Sequence, residues 1–204
     1  MSRAAVFLDK DGTLVPDVPF NVDPERMSLA PGSANGLRLL HNHGYKLIVV
    51  SNQSGVARDL FPEAALAVVK KRLGKLLAEV GVPLAGFYYC PHLPTATLPE
   101  YAVHCDCRKP QPGMLIRAAF EHDIDLATSW LIGDTLDDVE AGHCAGCQSI
   151  LLINGGETEW NVTAQRIPEC LAPDLGRAAR AIVWRYPPAG VADVQREDPC
   201  HVAT

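Results

Sequence analysis

The stretch Ala4-Ala5-Val6-Phe7-Leu8-Asp9-Lys10-Asp11-Gly12-Thr13 decides the fold. Five apolar residues run straight into two carboxylates spaced i, i+2, and then Gly12 and Thr13 break the run. An apolar run bounded by a turn reads as a fully buried strand. Such a strand implies a parallel sheet covered on both faces. In open α/β sheets ligands bind beyond the carboxyl ends of the strands, where Asp9 and Asp11 stand. The plainer reading is a turn, since Asp and Gly populate turns freely. The stretches that follow weigh one against the other.

Asp17 to Asp23 belongs to a proline-rich loop, Leu14 to Pro24, that leaves the same edge. It serves as either a surface connection or a cover over the site. Pro31-Gly32-Ser33 starts a helix that ends near His43. Lys46 to Val50 is the second buried strand, and Ser51-Asn52-Gln53-Ser54-Gly55 follows it at once. These small polar groups cap a helix, donate to an anion, or do both. Pro62 to Val80 is an amphipathic helix, with Leu66, Val69, Leu73, Leu76, Leu77 and Val80 on one face. Gly86 to Tyr89 is a third strand, and Pro112 opens a helix to about His122. Ser129 to Ile132 is a fourth strand, ending in Gly133-Asp134-Thr135-Leu136-Asp137-Asp138. A short helix reaches Ala145, Ser149 to Ile153 is a fifth strand, and Pro173 to Trp184 a last helix. Strands and helices alternate, so the expected fold is α/β, a three-layer doubly wound parallel sheet. One domain is expected over 1–186, and 187–204 reads as a mobile tail.

Composition agrees. The chain has 204 residues, 48% hydrophobic and 21% charged, which suits one well-buried globular domain. Its net charge of −6 opposes a nucleic-acid partner, which selects a basic surface. No apolar run approaches the ~20 residues of a membrane helix. Met1-Ser2-Arg3 leaves no room for a signal peptide before the first strand, so the cytoplasm is the expected compartment. No long apolar stripe is left unassigned, and a monomer is expected. Seven cysteines cannot all pair within one chain, which points to metal ligands or free thiols.

Asp9 and Asp11, Ser51 and Asn52, and Asp134 thus meet at one sheet edge. Neighbouring carboxylates repel by about 4 kcal/mol at 4 Å with an effective dielectric near 20. A hard divalent cation offsets that, and oxygen ligands suit Mg2+. Lys109 adds a fixed positive charge after the third strand. Carboxylates, a metal, a lysine and a hydroxyl together describe a site for a phosphoryl group. A non-catalytic scaffold has no reason to keep carboxylates that repel one another.

Asp9-Lys10-Asp11-Gly12-Thr13, Ser51-Asn52-Gln53, Lys109 and Gly133-Asp134-x-x-x-Asp138, in that order, resemble the haloacid dehalogenase (HAD) superfamily of phosphatases. The likeness spans about residues 4 to 160. It implies that Asp9 is a nucleophile forming an aspartyl-phosphate. Asp11 would protonate the leaving group and then deprotonate water. Mg2+ would sit among the Asp9 carboxylate, the Asp11 carbonyl and the Asp134 carboxylate, while Ser51 and Lys109 hold the phosphoryl group.

Cys90-x-His92 and Cys105-x-Cys107 bracket a twelve-residue loop. Three thiolates and an imidazole suit a closed tetrahedral Zn2+ site. Two unrelated pairs of reduced thiols is the alternative, and His104 could replace His92. Cys-x-His … Cys-x-Cys-Arg-Lys-Pro is similar to the zinc-bearing branch without a large cap domain, which includes the heptose-1,7-bisphosphate phosphatases and the phosphatase part of histidinol-phosphatase. The likeness implies a structural zinc in loop 90–107, a small phosphorylated sugar on the route to outer-membrane lipopolysaccharide, and substrate contacts from Asp17, Asn52, Gln53, Ser54, Arg108 and Thr135. Asp17 to Asp23 matches that branch in position only, and Thr135 stands where the heptose enzymes commonly carry lysine. Histidinol-phosphate is the alternative substrate. Nucleic-acid 3′-end phosphatases share the first motif, but the acidic balance opposes them. Cys144-x-x-Cys147 reads as two packed thiols more readily than as a redox pair.

Overall fold

The computed structural model describes residues 4–155 and 161–185; the expected tail at 187–204 lies outside them. The strands are β1 (Ala5–Leu8), β2 (Lys46–Asn52), β3 (Gly86–Cys90), β4 (Trp130–Gly133), β5 (Gln148–Leu152) and β6 (Cys170–Ala172). The helices are α1 (Ser33–Asn42), α2 (Ala65–Glu79), α3 (Gly113–His122), α4 (Leu136–Ala145) and α5 (Leu175–Arg185). The sheet is parallel throughout, in the order β3-β2-β1-β4-β5-β6.

All four residues of β1 are fully buried, as its unbroken apolar run demands. Its side chains alternate between the two faces of the sheet. Val6 and Leu8 enter one core with Leu37 and Leu40 of α1, Leu73 of α2 and Ile182 of α5. Ala5 and Phe7 enter the other with Leu115 of α3 and Ala141 of α4. Helices therefore cover both faces, giving the expected three layers.

Beyond shifts of one or two residues at other element ends, three departures from expectation stand out. β2 runs on through Ser51 and Asn52, so both belong to the strand and not to a cap. α2 begins at Ala65, because Pro62 and Glu63 form the turn that leads into it. The third is a sixth strand, Cys170–Ala172, which extends the sheet beside β5. It has three residues and is closely flanked by Pro168 and Pro173, so no two-residue alternation develops.

The strand order places the chain reversal between β1 and β4. β1 connects to β2 on one side, and the chain returns after β3 to lay β4 on the other. Such a switch point opens a crevice beyond the strand ends. Asp9 leaves β1 and Asp134 leaves β4 at this crevice. Among the described residues, no helix is long and apolar enough to cross a membrane.

Candidate active site

The Asp9 amide donates to the Ile132 carbonyl at 2.9 Å, so the β1–β4 ladder still holds where the acidic residues begin. One carboxylate oxygen from each of Asp9, Asp134 and Asp138 lies within 4.8 Å of the others, and all three residues are buried. Lys109 is 3% exposed and answers part of their charge. Its Nζ donates to Asp9 Oδ1 at 2.6 Å, to Asp138 Oδ1 at 2.5 Å and to the Val50 carbonyl at 3.0 Å. Three carboxylates against one ammonium leave the pocket negative. Burial raises the Asp9 pKa to about 7 against the pull of Lys109, and Asp138 and Asp11 add to the rise. Burial, then Asp9 and Asp138, raise the Asp134 pKa to about 8. At Lys109 burial works against the charge, but Asp138 and Asp9 outweigh it and hold the pKa above its ordinary value. A trio of buried oxygen ligands with excess negative charge fits a hard divalent cation.

Gly12 lets this trio close. It has φ +73, and a Cβ there would lie 1.9 Å from Asp134 Oδ2. Asp11 is set apart: its carboxylate receives Lys10 Nζ at 2.6 Å and Gln53 Nε2 at 3.3 Å. The side chain is 29% exposed, so water and a leaving group can reach it. The carboxylate that joins Asp9 and Asp134 is therefore that of Asp138, not of Asp11.

Ser51 is buried at the end of β2, where its Oγ accepts from Gln53 Nε2 at 2.8 Å. Two residues expected to face substrate are held by the protein instead. The Asn52 amide donates to the Lys109 carbonyl and accepts from the Lys109 amide, each at 3.0 Å. Thr135 Oγ1 donates to Asp138 Oδ2 at 2.6 Å, and its backbone amide bonds the same oxygen at 3.1 Å. Asp138 thereby starts α4 and anchors Lys109 at once. Sequence reasoning quoted Asp138 without a role; the spacing Thr135-x-x-Asp138 carries the signal, since it has the form of a capping box.

Ser54 is half-buried, and Arg108 Nη1 donates to the His92 carbonyl at 3.1 Å. Asp17 is exposed and lines a cavity of about 450 Å³ with Gly12, Thr13, Asp134 and Asn154. The cavity opens beside the acidic trio, so the loop after β1 does border the site.

Cys90, His92, Cys105 and Cys107 form a second cluster, each offering one ligand atom within 4.8 Å of the others. The Sγ atoms are 3.2 to 3.6 Å apart, and His92 Nδ1 lies 3.4 Å from Cys107 Sγ and 3.6 Å from Cys90 Sγ. A tetrahedron with Zn–S bonds of ~2.3 Å has edges of about 3.8 Å. The donor set fits a soft tetrahedral ion, and His104 is exposed and outside it. Cys147 is buried, with a thiol that burial pushes up to about 12, while Cys144 is exposed, so the expectation of packed thiols holds for Cys147 and not for Cys144.

A relative from Photorhabdus laumondii, D-glycero-beta-D-manno-heptose-1,7-bisphosphate 7-phosphatase, is 40% identical over 181 residues, covering 87% of this chain and 96% of its own length. The chain belongs to this phosphatase family. A second member, from Escherichia coli strain K12, is 39% identical over 156 residues, covering 76% of this chain and 82% of itself. Residues 106–178 match a broader family model described as HAD-hydrolase-like. Among solved structures, the D,D-heptose 1,7-bisphosphate phosphatase of B. bronchiseptica, complexed with magnesium and phosphate, matches with a TM-score of 0.71 at 29% identity. The match covers 90% of this chain and 99% of that one. As a member of the family, the chain is a hydrolase of phosphoric monoesters, with the six-stranded HAD sheet described above.

Proposed function

We propose that the protein removes the 7-phosphate of D-glycero-D-manno-heptose 1,7-bisphosphate, acting as a cytoplasmic monomer with one catalytic domain and no nucleic-acid partner. The observation that carries the chemistry is the buried trio Asp9, Asp134 and Asp138 clasping Lys109 at the β1–β4 switch point. Family membership directs it to this substrate.

In this reading an Asp9 carboxylate oxygen attacks phosphorus, and the bond to the sugar C7 oxygen breaks. Asp11 gives that oxygen its proton. Water then attacks the aspartyl-phosphate, Asp11 takes a proton from the water, and inorganic phosphate leaves with Asp9 restored. Lys109 and Ser51 hold the transferring group. Asp138 and Asn52 fix Lys109 from its two ends, which keeps its ammonium beside Asp9, where the transferring group arrives. The Asp9 and Asp134 carboxylates and the Asp11 carbonyl would hold Mg2+, which would supply Lewis-acid neutralisation of phosphoryl charge. The magnesium in the B. bronchiseptica relative supports this choice of metal. Cys90, His92, Cys105 and Cys107 would hold a structural zinc, fixing the loop that delivers Arg108 and Lys109. Asp17, Gln53, Ser54 and Arg108 border the remainder of the substrate.

Asp9→Asn tests the nucleophile. Phosphate release from the heptose bisphosphate is expected to fall to background, while fold and zinc content persist. Turnover at the wild-type level would remove Asp9 from the mechanism. A parallel assay with both anomers and with histidinol-phosphate tests the substrate, and preference for histidinol-phosphate would overturn the heptose assignment.

A further inference from the structure

Glu63 sits in the turn that leads into α2, and both of its carboxylate oxygens are engaged. Oε1 accepts from the Tyr89 hydroxyl and Oε2 from the Tyr101 hydroxyl, each at 2.9 Å. The three residues come from separate parts of the chain. Glu63 closes the loop after β2, Tyr89 stands on β3 one residue before Cys90, and Tyr101 ends a short 3-10 turn, Pro99–Tyr101, inside the metal loop. Hydrogen bonds to a charged acceptor are the strong ones. Both phenols stay protonated as donors. The bond to Glu63 raises the Tyr101 pKa, and burial together with the same carboxylate raises that of Tyr89.

From Tyr101 the contacts continue to the soft cluster. Its ring lies against that of His92, with centroids 6.3 Å apart. Its carbonyl accepts from the Leu93 amide at 3.0 Å, and the His92 carbonyl accepts from Arg108. Leu98 of the metal loop also reaches back to Ala57, in the loop after β2. Lys109 is fixed differently, by Asn52 at its backbone and by Asp9 and Asp138 at its ammonium.

We propose that Glu63 is a positioning residue: its carboxylate clasps the metal loop to the loop after β2, and so sets where Arg108 meets the part of the substrate beyond the reacting phosphate. The inference rests on the reading of Arg108 given under the proposed function. Because Lys109 has its own anchors, the clasp acts on recognition and leaves the chemical step alone.

The test uses the full chain with both metals bound and three variants: Glu63→Ala, Glu63→Gln, and Tyr89→Phe with Tyr101→Phe. Glu63→Ala and the double Phe variant are expected to raise KM for heptose 1,7-bisphosphate about tenfold, the factor that one hydrogen bond to a charged group is worth. Their kcat is expected to stay within about twofold, as for lost binding that is uniform along the reaction. Release of zinc to a chromogenic chelator is expected to speed up by a similar factor of about ten. KM for p-nitrophenyl phosphate, which has nothing for Arg108 to hold, stays unchanged. Glu63→Gln keeps an acceptor for one hydroxyl and offers a donor to the other but loses the charge, and its KM and zinc release are expected to fall between those of wild type and Glu63→Ala. Wild-type KM and zinc release in Glu63→Ala would overturn the proposal, as would a fall in kcat on both substrates. If Glu63→Ala does not fold, the double Phe variant decides. If the wild-type protein fails to hydrolyse the bisphosphate, the substrate assignment falls, and the zinc-release comparison still decides the clasp.

Discussion

Lys109 Nζ donates to Asp9, to Asp138 and to the Val50 carbonyl. Lys109→Met keeps most of the side-chain volume and removes the charge, leaving three buried carboxylates facing one another. Breaking a buried pair from one side costs about 3–5 kcal/mol. Urea unfolding in magnesium-free buffer is expected to show a loss of that order, and phosphate release is expected to cease. A loss below about 1 kcal/mol, the range of an exposed pair, would mean that the ammonium does not hold the trio together. Asp9, Asp11, Asp134 and Lys109 were legible in the sequence because each follows closely on a strand or on a fixed motif. The pairings of Asn52 and of Asp138 with Lys109 were not. Asn52 meets Lys109 across 57 residues, and Asp138 meets Lys109 across 29. Such pairings exist only once the sheet order has brought the strand ends together.

The metal loop shows the same division at the level of an element. Spacing offered Cys90, His92, Cys105 and Cys107 with unrelated thiol pairs and His104 as alternatives, and all four converge, because β3 ends at Cys90 and the loop returns to it before α3. Spacing does not encode the tether from Glu63, which depends on α2 starting where it does. Cys105→Ser removes one thiolate from a four-ligand set. Metal analysis is expected to show zinc falling to near zero, and proteinase K is expected to cut within 93–104 while wild type resists. Unchanged zinc content would take Cys105 out of the ligand set. β6 was missed for a local reason: three residues flanked by prolines carry no periodicity, and their strand character comes from pairing with β5. The longer elements were read correctly because their apolar spacing persists for two turns or more, as in α2 with Leu66, Val69, Leu73 and Leu77 buried.

For the whole molecule, the acidic trio couples stability to pH. Asp9 and Asp134 have folded pKa values near 7 and 8, raised from an ordinary value near 3.8. The folded state therefore binds protons more tightly than the unfolded state between about pH 4 and pH 8. Stability is present in full below the lower bound and is lost as pH rises through that window. In magnesium-free buffer, Tm is expected to fall more steeply across this window for wild type than for Asp134→Asn, and added Mg2+ is expected to flatten the wild-type curve. Parallel curves for the two proteins would show that the trio does not set this slope. The doubly wound sheet itself was legible from alternation. The identity of the switch point was not, because it depends on which side of β1 receives β4.

That placement also governs when the site can exist during synthesis. β1 is made before the other five strands of the sheet, yet it lies in the interior, with Val6 paired to Leu47 on one side and to Trp130 on the other. A nascent chain that has not yet emerged past β4 carries Asp9 and Lys109 but neither Asp134 nor Asp138. At ~5–20 residues per second, several seconds of translation separate the nucleophile from its metal partner and from the anchor of its lysine. The catalytic centre is thus assembled late, and a ribosome stalled before residue 134 holds a chain that cannot retain magnesium in this way.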